Sequence, residues 1–412
     1  MIMQRVLVIG CGKLARAVIP LLSKNAECFR EICLSGRSKE KCDQYKKKYS
    51  SDKQKIVTAY ADIRNMEKTL LMAKIYHPDL VINLAPSSLN LQVMDLCLAM
   101  GANYIDASLY IPKGSSTCDI DAEYAYDKKF REKELTAIIG CGFNPGVIDA
   151  FAQYVAIKKM DDIRTIDIID MNAGTNAHPY LMNTPMMTSL RQISSESRMW
   201  SNGNIVKVPP MSTQAKYSFP EIGKRNLYMV DHEVIDALSG EVPDASMIRY
   251  FSAFKRPFLS MVKILREVGM TSTTPVDIDG QQIAPLDFLS EVMPQQEDLV
   301  ATARGKTGVG MLIHGSKEGV GKQCLVYTLI DHQECFEKYG SSATDFMGAA
   351  ALVSGAVMLS MGPWMSPGVH MVSEFDPLPF LKEIQHQGLT YKLLENAPEL
   401  DVVSGSSDEE EE

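Results

Sequence analysis

The sequence predicts an α/β chain, a doubly wound parallel sheet followed by a second α+β domain. Three observations predict it. From residue 1 to about 140, short apolar runs alternate with helical patterns, the pattern of parallel strands joined by crossover helices. From about 160 the alternation gives way to strands separated by polar loops and amphipathic helices. The chain has 412 residues, 45% hydrophobic and 23% charged, enough for two or three domains with sizeable cores.

In chain order, strands are expected at 6–9, 32–34, 56–59, 80–84, 104–106 and 137–139, with helices at 16–23, 66–75 and 89–100 among the connections. The first strand runs directly into Gly10-Cys11-Gly12-Lys13-Leu14-Ala15, a G-x-G-x-x-A turn that opens a helix. Gly10 permits the tight turn, Gly12 lets a pyrophosphate reach the backbone, and Ala15 lets helix and strand pack closely. Lys13 and Leu14 complete this dinucleotide-binding turn, whose anion would sit at the helix N-terminus. The second strand ends in Ser35-Gly36-Arg37-Ser38, with no acidic residue for a ribose 2′-hydroxyl. A planar cation flanked by hydroxyls suits a 2′-phosphate instead, so NADP(H) is expected over NAD(H).

At the carboxyl ends of later strands, Asp62 is placed beside the adenine and Ala85-Pro86-Ser87-Ser88 beside the nicotinamide ribose and pyrophosphate. Asp106 is expected to face the reaction centre, or else to cap a helix or form a salt bridge. Asn144-Pro145 opens a helix at 147–159, with Asn144 as N-cap, and offers a second N-terminus suited to a carboxylate.

Beyond 160, strands are expected at 165–171 and 227–230, helices at 188–195 and 257–268, and a hairpin at 311–315 and 323–329 that delivers Asp331-His332-Gln333-Glu334 to a strand end. The run Arg304–Gly310 lacks the spacing of a phosphate loop and precedes a strand, which excludes an ATPase reading. A small-residue helix at 344–360, too short and glycine-rich to span a bilayer, is expected to pack on the cofactor domain. The tail from 391, ending in Asp408-Glu409-Glu410-Glu411-Glu412, is expected to be acidic and disordered. Nine cysteines without C-x-x-C pairs point to reduced thiols, no metal site and a cytoplasmic address, and no signal peptide is expected ahead of the first strand. A net charge of −9 and a pI near 5.4 disfavour nucleic acid as a partner, and no membrane association is expected.

The chain resembles the saccharopine dehydrogenase superfamily, and within it the carboxynorspermidine (carboxyspermidine) dehydrogenases. The likeness rests on Gly10-Cys11-Gly12, Ser35-Gly36-Arg37, Tyr104-Ile105-Asp106-Ala107, Cys141-Gly142-Phe143-Asn144-Pro145-Gly146, Val268-Gly269-Met270-Thr271-Ser272, Gly305-Lys306-Thr307, Asp331-His332-Gln333-Glu334, Pro367-Gly368-Val369 and Glu374-Phe375-Asp376-Pro377. Two positions depart from it: Asn144 replaces a usual aspartate, and Ser87-Ser88 replace bulkier residues. The resemblance implies a Rossmann domain at 1–145, an inserted α+β substrate and dimerisation domain at 146–343, and helices at 344–390 that return to the first. It also implies a homodimer and a reaction: aspartate β-semialdehyde condenses with 1,3-diaminopropane or putrescine, and NADPH reduces the imine.

That reaction needs a proton donor, for which Asp106, Cys141 and His332 are candidates. The amino-acid end of the substrate needs cations, and Arg191, Arg304 and Lys306 qualify, with Asn144 nearby in the motif. The amine end needs acceptors, and Asp331, Glu334 and Asn176 qualify. Two alternatives remain: a saccharopine reductase joining glutamate to aminoadipate semialdehyde, and an NADP(H)-sensing protein without turnover.

Overall fold

The computed structural model describes residues 5–115 and 117–404. These form two compact units, one of the described residues within 1–159 and 339–390, the other of those within 160–338 and 391–412.

The first unit is built on a seven-stranded sheet. Its strands are β1 (Arg5–Ile9), β2 (Glu31–Gly36), β3 (Lys55–Tyr60), β4 (Leu80–Asn83), β5 (Asn103–Ile105) and β6 (Thr136–Ile138), joined late in the chain by Gly368–His370. The order is Gly368–His370, β6, β5, β4, β1, β2, β3, and every pairing is parallel. Val6, Leu7 and Val8 have no exposed surface, because β1 lies between two strands with helices on its faces. The strand order reverses beside β1, the point at which such sheets open a crevice for ligands. Four crossover helices are α1 (Ala15–Lys24), α2 (Lys39–Tyr49), α3 (Met66–Tyr76) and α4 (Asn90–Met100).

The helix Ala343–Met361 starts where Ser342 Oγ accepts the Asp345 N–H at 3.0 Å. Its 19 residues are long and apolar enough to cross a membrane, contrary to the expectation that it is too short. The helix is instead buried inside the first unit, where it packs against α1.

Two domain boundaries differ from the sequence expectation. The helix Val147–Lys158, expected to open the second domain, belongs to the first unit, because its apolar face packs against Pro377–His386. The tail expected to be disordered from 391 supplies strands Tyr391–Glu395 and Asp401–Ser404. The acidic run begins only at 408, and both strand segments precede it. Residues 405–412, where the rest of that expectation falls, lie outside the described residues.

The second unit is a mixed ten-stranded sheet. Its main path runs Tyr391–Glu395, Val320–Asp331, Lys306–Lys317, Asp162–Asp170, Met247–Ala253, Gly223–Met229, Thr213–Phe219, Asp401–Ser404. The C-terminal segment therefore supplies both end strands of that path. Only Asp162–Asp170 and Met247–Ala253 pair in parallel along it. The expected hairpin is longer and its turn tighter than expected: Lys317 pairs with Val320 across Glu318 (φ 51°) and Gly319 (φ 78°). Two positive φ values make the type I′ connection that matches strand twist.

Candidate functional site

At the end of β1 the Gly10 N–H donates to Ser35 O at 2.8 Å, and Gly10 has φ 115°. A Cβ there would lie 2.7 Å from Leu84 O, so only glycine turns the chain here. In front of Gly12, by contrast, a Cβ would meet nothing within 4 Å. Leu14 is the N-cap of α1 and no side chain caps that terminus, while Ala15 is fully buried against the sheet. Open space over a glycine at a helix N-terminus fits a dinucleotide pyrophosphate. Lys13 is half-buried in the same turn.

Arg37, just beyond β2, is exposed, and among the described residues it has no ion-pair partner. Gly36 leaves room for Cys11, whose sulfur would lie 2.6 Å from a Cβ at that position. A hydrogen bond with the buried Cys42 thiol lowers the Cys11 pKa to about 6. Ser35 and Ser38 differ from expectation. Ser35 is buried and its hydroxyl donates to Val8 O at 2.9 Å, tying β2 to β1. Ser38 is the N-cap of α2, accepting from Lys41 N at 3.4 Å. Asp62 grips Arg64 through two bonds of 2.8 and 2.5 Å, which hold its carboxyl down near 2. The motif gave no sign of Arg64. After β4, Ala85 N donates to Asn83 Oδ1 at 3.0 Å, and Pro86 leads into a short 3₁₀ turn at Ser87–Leu89. Ser87 and Ser88 are half-buried.

Asp106 does not face open space. It is 2% exposed and sits at the centre of a buried network. Its Oδ2 accepts from Tyr104 Oη (2.6 Å) and Asn90 Nδ2 (2.9 Å), and its Oδ1 accepts from Gly140 N (2.7 Å). Asn90 Nδ2 also reaches Glu123 Oε1 at 3.0 Å. Burial pushes Asp106 up to about 7 and Glu123 up to about 8. Sequence spacing gave no hint that Glu123 joins this network.

Cys141 is also corrected. Its fully buried thiol lies 3.6 Å from Ala351 O and is pushed well up by burial, so it packs rather than exchanges protons. The helix after it starts at Val147, as expected, but its N-cap is Gly146 and not Asn144. Asp149 Oδ2 accepts from Gly146 N at 2.5 Å, so the helix carries its own carboxylate at that end. Asn144 is half-buried in the preceding loop.

The second unit gathers its own cluster at one sheet edge. The parallel strands Asp162–Asp170 and Met247–Ala253 end there, Lys306–Lys317 begins there and Val320–Asp331 ends there. The loop after Asp170 is pinned by its own amides. Asn176 Nδ2 donates to Leu181 O (3.1 Å) and Asn183 Oδ1 (2.9 Å), and Asn183 Nδ2 donates to Ala173 O (3.0 Å). His332 Nε2 lies 3.0 Å from Ala173 O and 3.3 Å from Asn183 Nδ2. Donation to that carbonyl assigns the proton to Nε2 and leaves Nδ1 the acceptor. Burial lowers the His332 pKa, so the ring is neutral near pH 7. Gly174, at φ 87°, makes this possible: a Cβ would sit 2.7 Å from the imidazole.

Of the expected catalytic and substrate residues, the structure brings His332, Asn176, Arg304 and Asp331 to this edge. Arg304 shares a backbone bridge with Thr175, and its exposed guanidinium rests on the Ala301 and Ala303 carbonyls. Asp331 is a helix cap, accepting from Gln333 N and Glu334 N, rather than a free acceptor. Glu334 is exposed in the first turn of that helix. Lys306 turns away to Glu221 Oε2 at 2.7 Å, and Arg191 is exposed on Met186–Ser194. Sequence reading missed Lys255, which follows an apolar strand with no motif around it and donates to Leu181 O at 3.0 Å.

Comparison with known proteins agrees with this architecture. Residues 6–138 match the saccharopine dehydrogenase NADP binding domain, and residues 142–389 match the saccharopine dehydrogenase C-terminal domain. A carboxyaminopropylagmatine dehydrogenase of Synechocystis is 32% identical over 96% of this chain and 99% of its own. A carboxynorspermidine synthase of Vibrio cholerae is 28% identical over 95% of this chain and 97% of its own. The solved apo saccharopine dehydrogenase (L-Glu forming) of Saccharomyces cerevisiae shares the fold. Its TM-score is 0.74 at 14% identity, over 96% of this chain and all of that one. The chain is therefore an oxidoreductase of the saccharopine dehydrogenase family, with a nicotinamide-dinucleotide-binding first unit.

Proposed function

We propose that this protein catalyses the NADPH-dependent reductive condensation of aspartate β-semialdehyde with an amine, giving a carboxylated polyamine. The observation that carries the reading is the near-full-length likeness to relatives named for such products. The unpaired Arg37 guanidinium supports NADP over NAD, since it can meet a 2′-phosphate with two parallel hydrogen bonds. Gly10, Gly12 and the uncapped start of α1 would hold the pyrophosphate. Bound NADPH would supply the hydride that reduces the carbon–nitrogen double bond.

The remaining work falls to the chain's own side chains. His332 Nδ1, on a neutral ring held by Ala173 O, is suited to accept and return a proton during water loss. Glu334 supports the cationic end of a diamine, and Arg304 and Lys255 the acid end of the semialdehyde. Exposed apolar side chains in the second unit, Ile264, Val268, Phe288 and Val292, support a homodimer. Light scattering should then give twice the 45.7 kDa chain mass, and a monomer would remove that part. Cysteines held as thiols and not as disulfides support a cytoplasmic setting.

NADPH oxidation with aspartate β-semialdehyde and 1,3-diaminopropane, putrescine or agmatine tests the reading. Turnover with at least one amine is expected. Turnover only with glutamate and aminoadipate semialdehyde, or cofactor binding without turnover, would reject it.

A further inference from the structure

Four Lys or Arg side chains of the second unit are not exposed, and three of them are neutralised. Arg198 pairs with Asp231 and Asp236, Arg249 with Asp167, and Lys317 with Asp161. Lys255 is the fourth. Among the described residues it has no carboxylate within ion-pair distance, and its one hydrogen bond goes to Leu181 O. An ammonium has three N–H donors, so two remain uncommitted. A partly desolvated charge without a counter-ion is costly to keep, unless something negative comes to it.

We propose that Lys255 is the anchor of a carboxylate-binding subsite that receives the acid group of the amino-acid-derived aldehyde. This deepens the proposed function and rests on it. The subsite is built in advance. Leu181 O, which fixes the ammonium, is held from another side by Asn176, and Asn176 is bonded to Asn183, which reaches His332. Loss of water around the charge strengthens its pull on an anion, an advantage that the exposed Arg191 and Arg304 lack. Two carboxylates of this sheet edge are committed elsewhere. Asp331 caps its helix, and Asp170 is held by Asn172 N and Tyr250 Oη. His332 stays neutral beside Lys255, so the subsite presents one positive charge, matched to one carboxylate.

Steady-state kinetics of wild type, K255M and K255R test this, with 1,3-diaminopropane as the amine. The aldehydes are aspartate β-semialdehyde and 3-aminopropanal, which lacks only the carboxylate. K255M should raise the semialdehyde KM roughly 10- to 100-fold, as losing a charged hydrogen bond does. It should leave the KM values for NADPH and aminopropanal near wild type, and K255R should recover most of the loss. An unchanged semialdehyde KM in K255M, with wild type active, overturns the subsite but not the enzyme. If wild type is inactive with every amine, the enzyme reading fails, and calorimetric titration with L-aspartate decides the subsite alone. Equal affinity of wild type and K255M for L-aspartate overturns it, and weaker binding by K255M supports it. Matching melting temperatures show that the variants are folded.

Discussion

Arg37 is the residue proposed to set cofactor choice, because among the described residues it is a cation without an ion-pair partner at the end of β2. Replacing it by alanine should raise the NADPH KM by about 10- to 100-fold while leaving the NADH KM nearly unchanged. A parallel change in both constants would place the phosphate elsewhere. Cys11 lies in the same neighbourhood, half-buried and drawn down to about 6 by Cys42. Seven of the nine cysteines are buried, and burial raises the thiols of Cys33, Cys97 and Cys141. Iodoacetamide at pH 7.5 should therefore label Cys11 before the seven buried thiols, since the thiolate is the nucleophile. NADPH should slow that labelling. Peptide mass mapping that finds a buried cysteine labelled first would contradict the assigned thiolate.

Among elements, the helix Ala343–Met361 shows how composition becomes architecture. Its glycine at 355 lets the neighbouring β5 and the Cys141 loop approach. A Cβ there would fall 2.5 Å from Cys141 Sγ and 2.8 Å from Ile105 Cδ1. Overpacking of this kind costs about 1–3 kcal/mol. Gly355→Val should thus lower the melting temperature by several degrees, and an unchanged value would show that the helix can slide. The loop from Asn172 to Pro185 is the opposite case, an irregular segment held by asparagine side chains because no ladder satisfies its backbone. Its order is what allows Leu181 O to hold Lys255.

For the molecule as a whole, the buried carboxyls set a pH dependence. Glu123 is raised to about 8, first by burial and then by the charge of Asp106, against about 4.3 for an unfolded glutamate. Between those values the folded chain holds a proton that the unfolded chain has released, so this group's contribution falls as pH rises through the window. Glu123→Gln removes that titration. Its stability relative to wild type should grow from pH 6 to pH 9, by up to about 1.4 kcal/mol per pH unit in the steepest region. Comparing variant with wild type cancels His232, His332 and Cys11, which titrate in the opposite sense. Melting curves with a pH-independent difference would show Glu123 to be ionised in the fold.

The sequence by itself determined six of the seven strands of the first sheet, three of its crossover helices and the glycine turn after β1, while Gly368–His370 was not expected. These follow from local periods and from backbone positions that few residues can occupy, both visible along the chain. Only the tertiary structure decided what Asp106, Cys141, Asp331 and Lys255 do. Each has the right chemical type, but its role depends on which distant groups claim its lone pairs or protons. Asp106 is claimed by Tyr104, Asn90 and Gly140, and Cys141 is sealed by a helix more than 200 residues later. Lys255 is left with its charge unmatched because strand pairing carries it to an edge where, among the described residues, no carboxylate lies within ion-pair distance of it. Burial and pairing are properties of the folded surface, and no spacing in one chain encodes them.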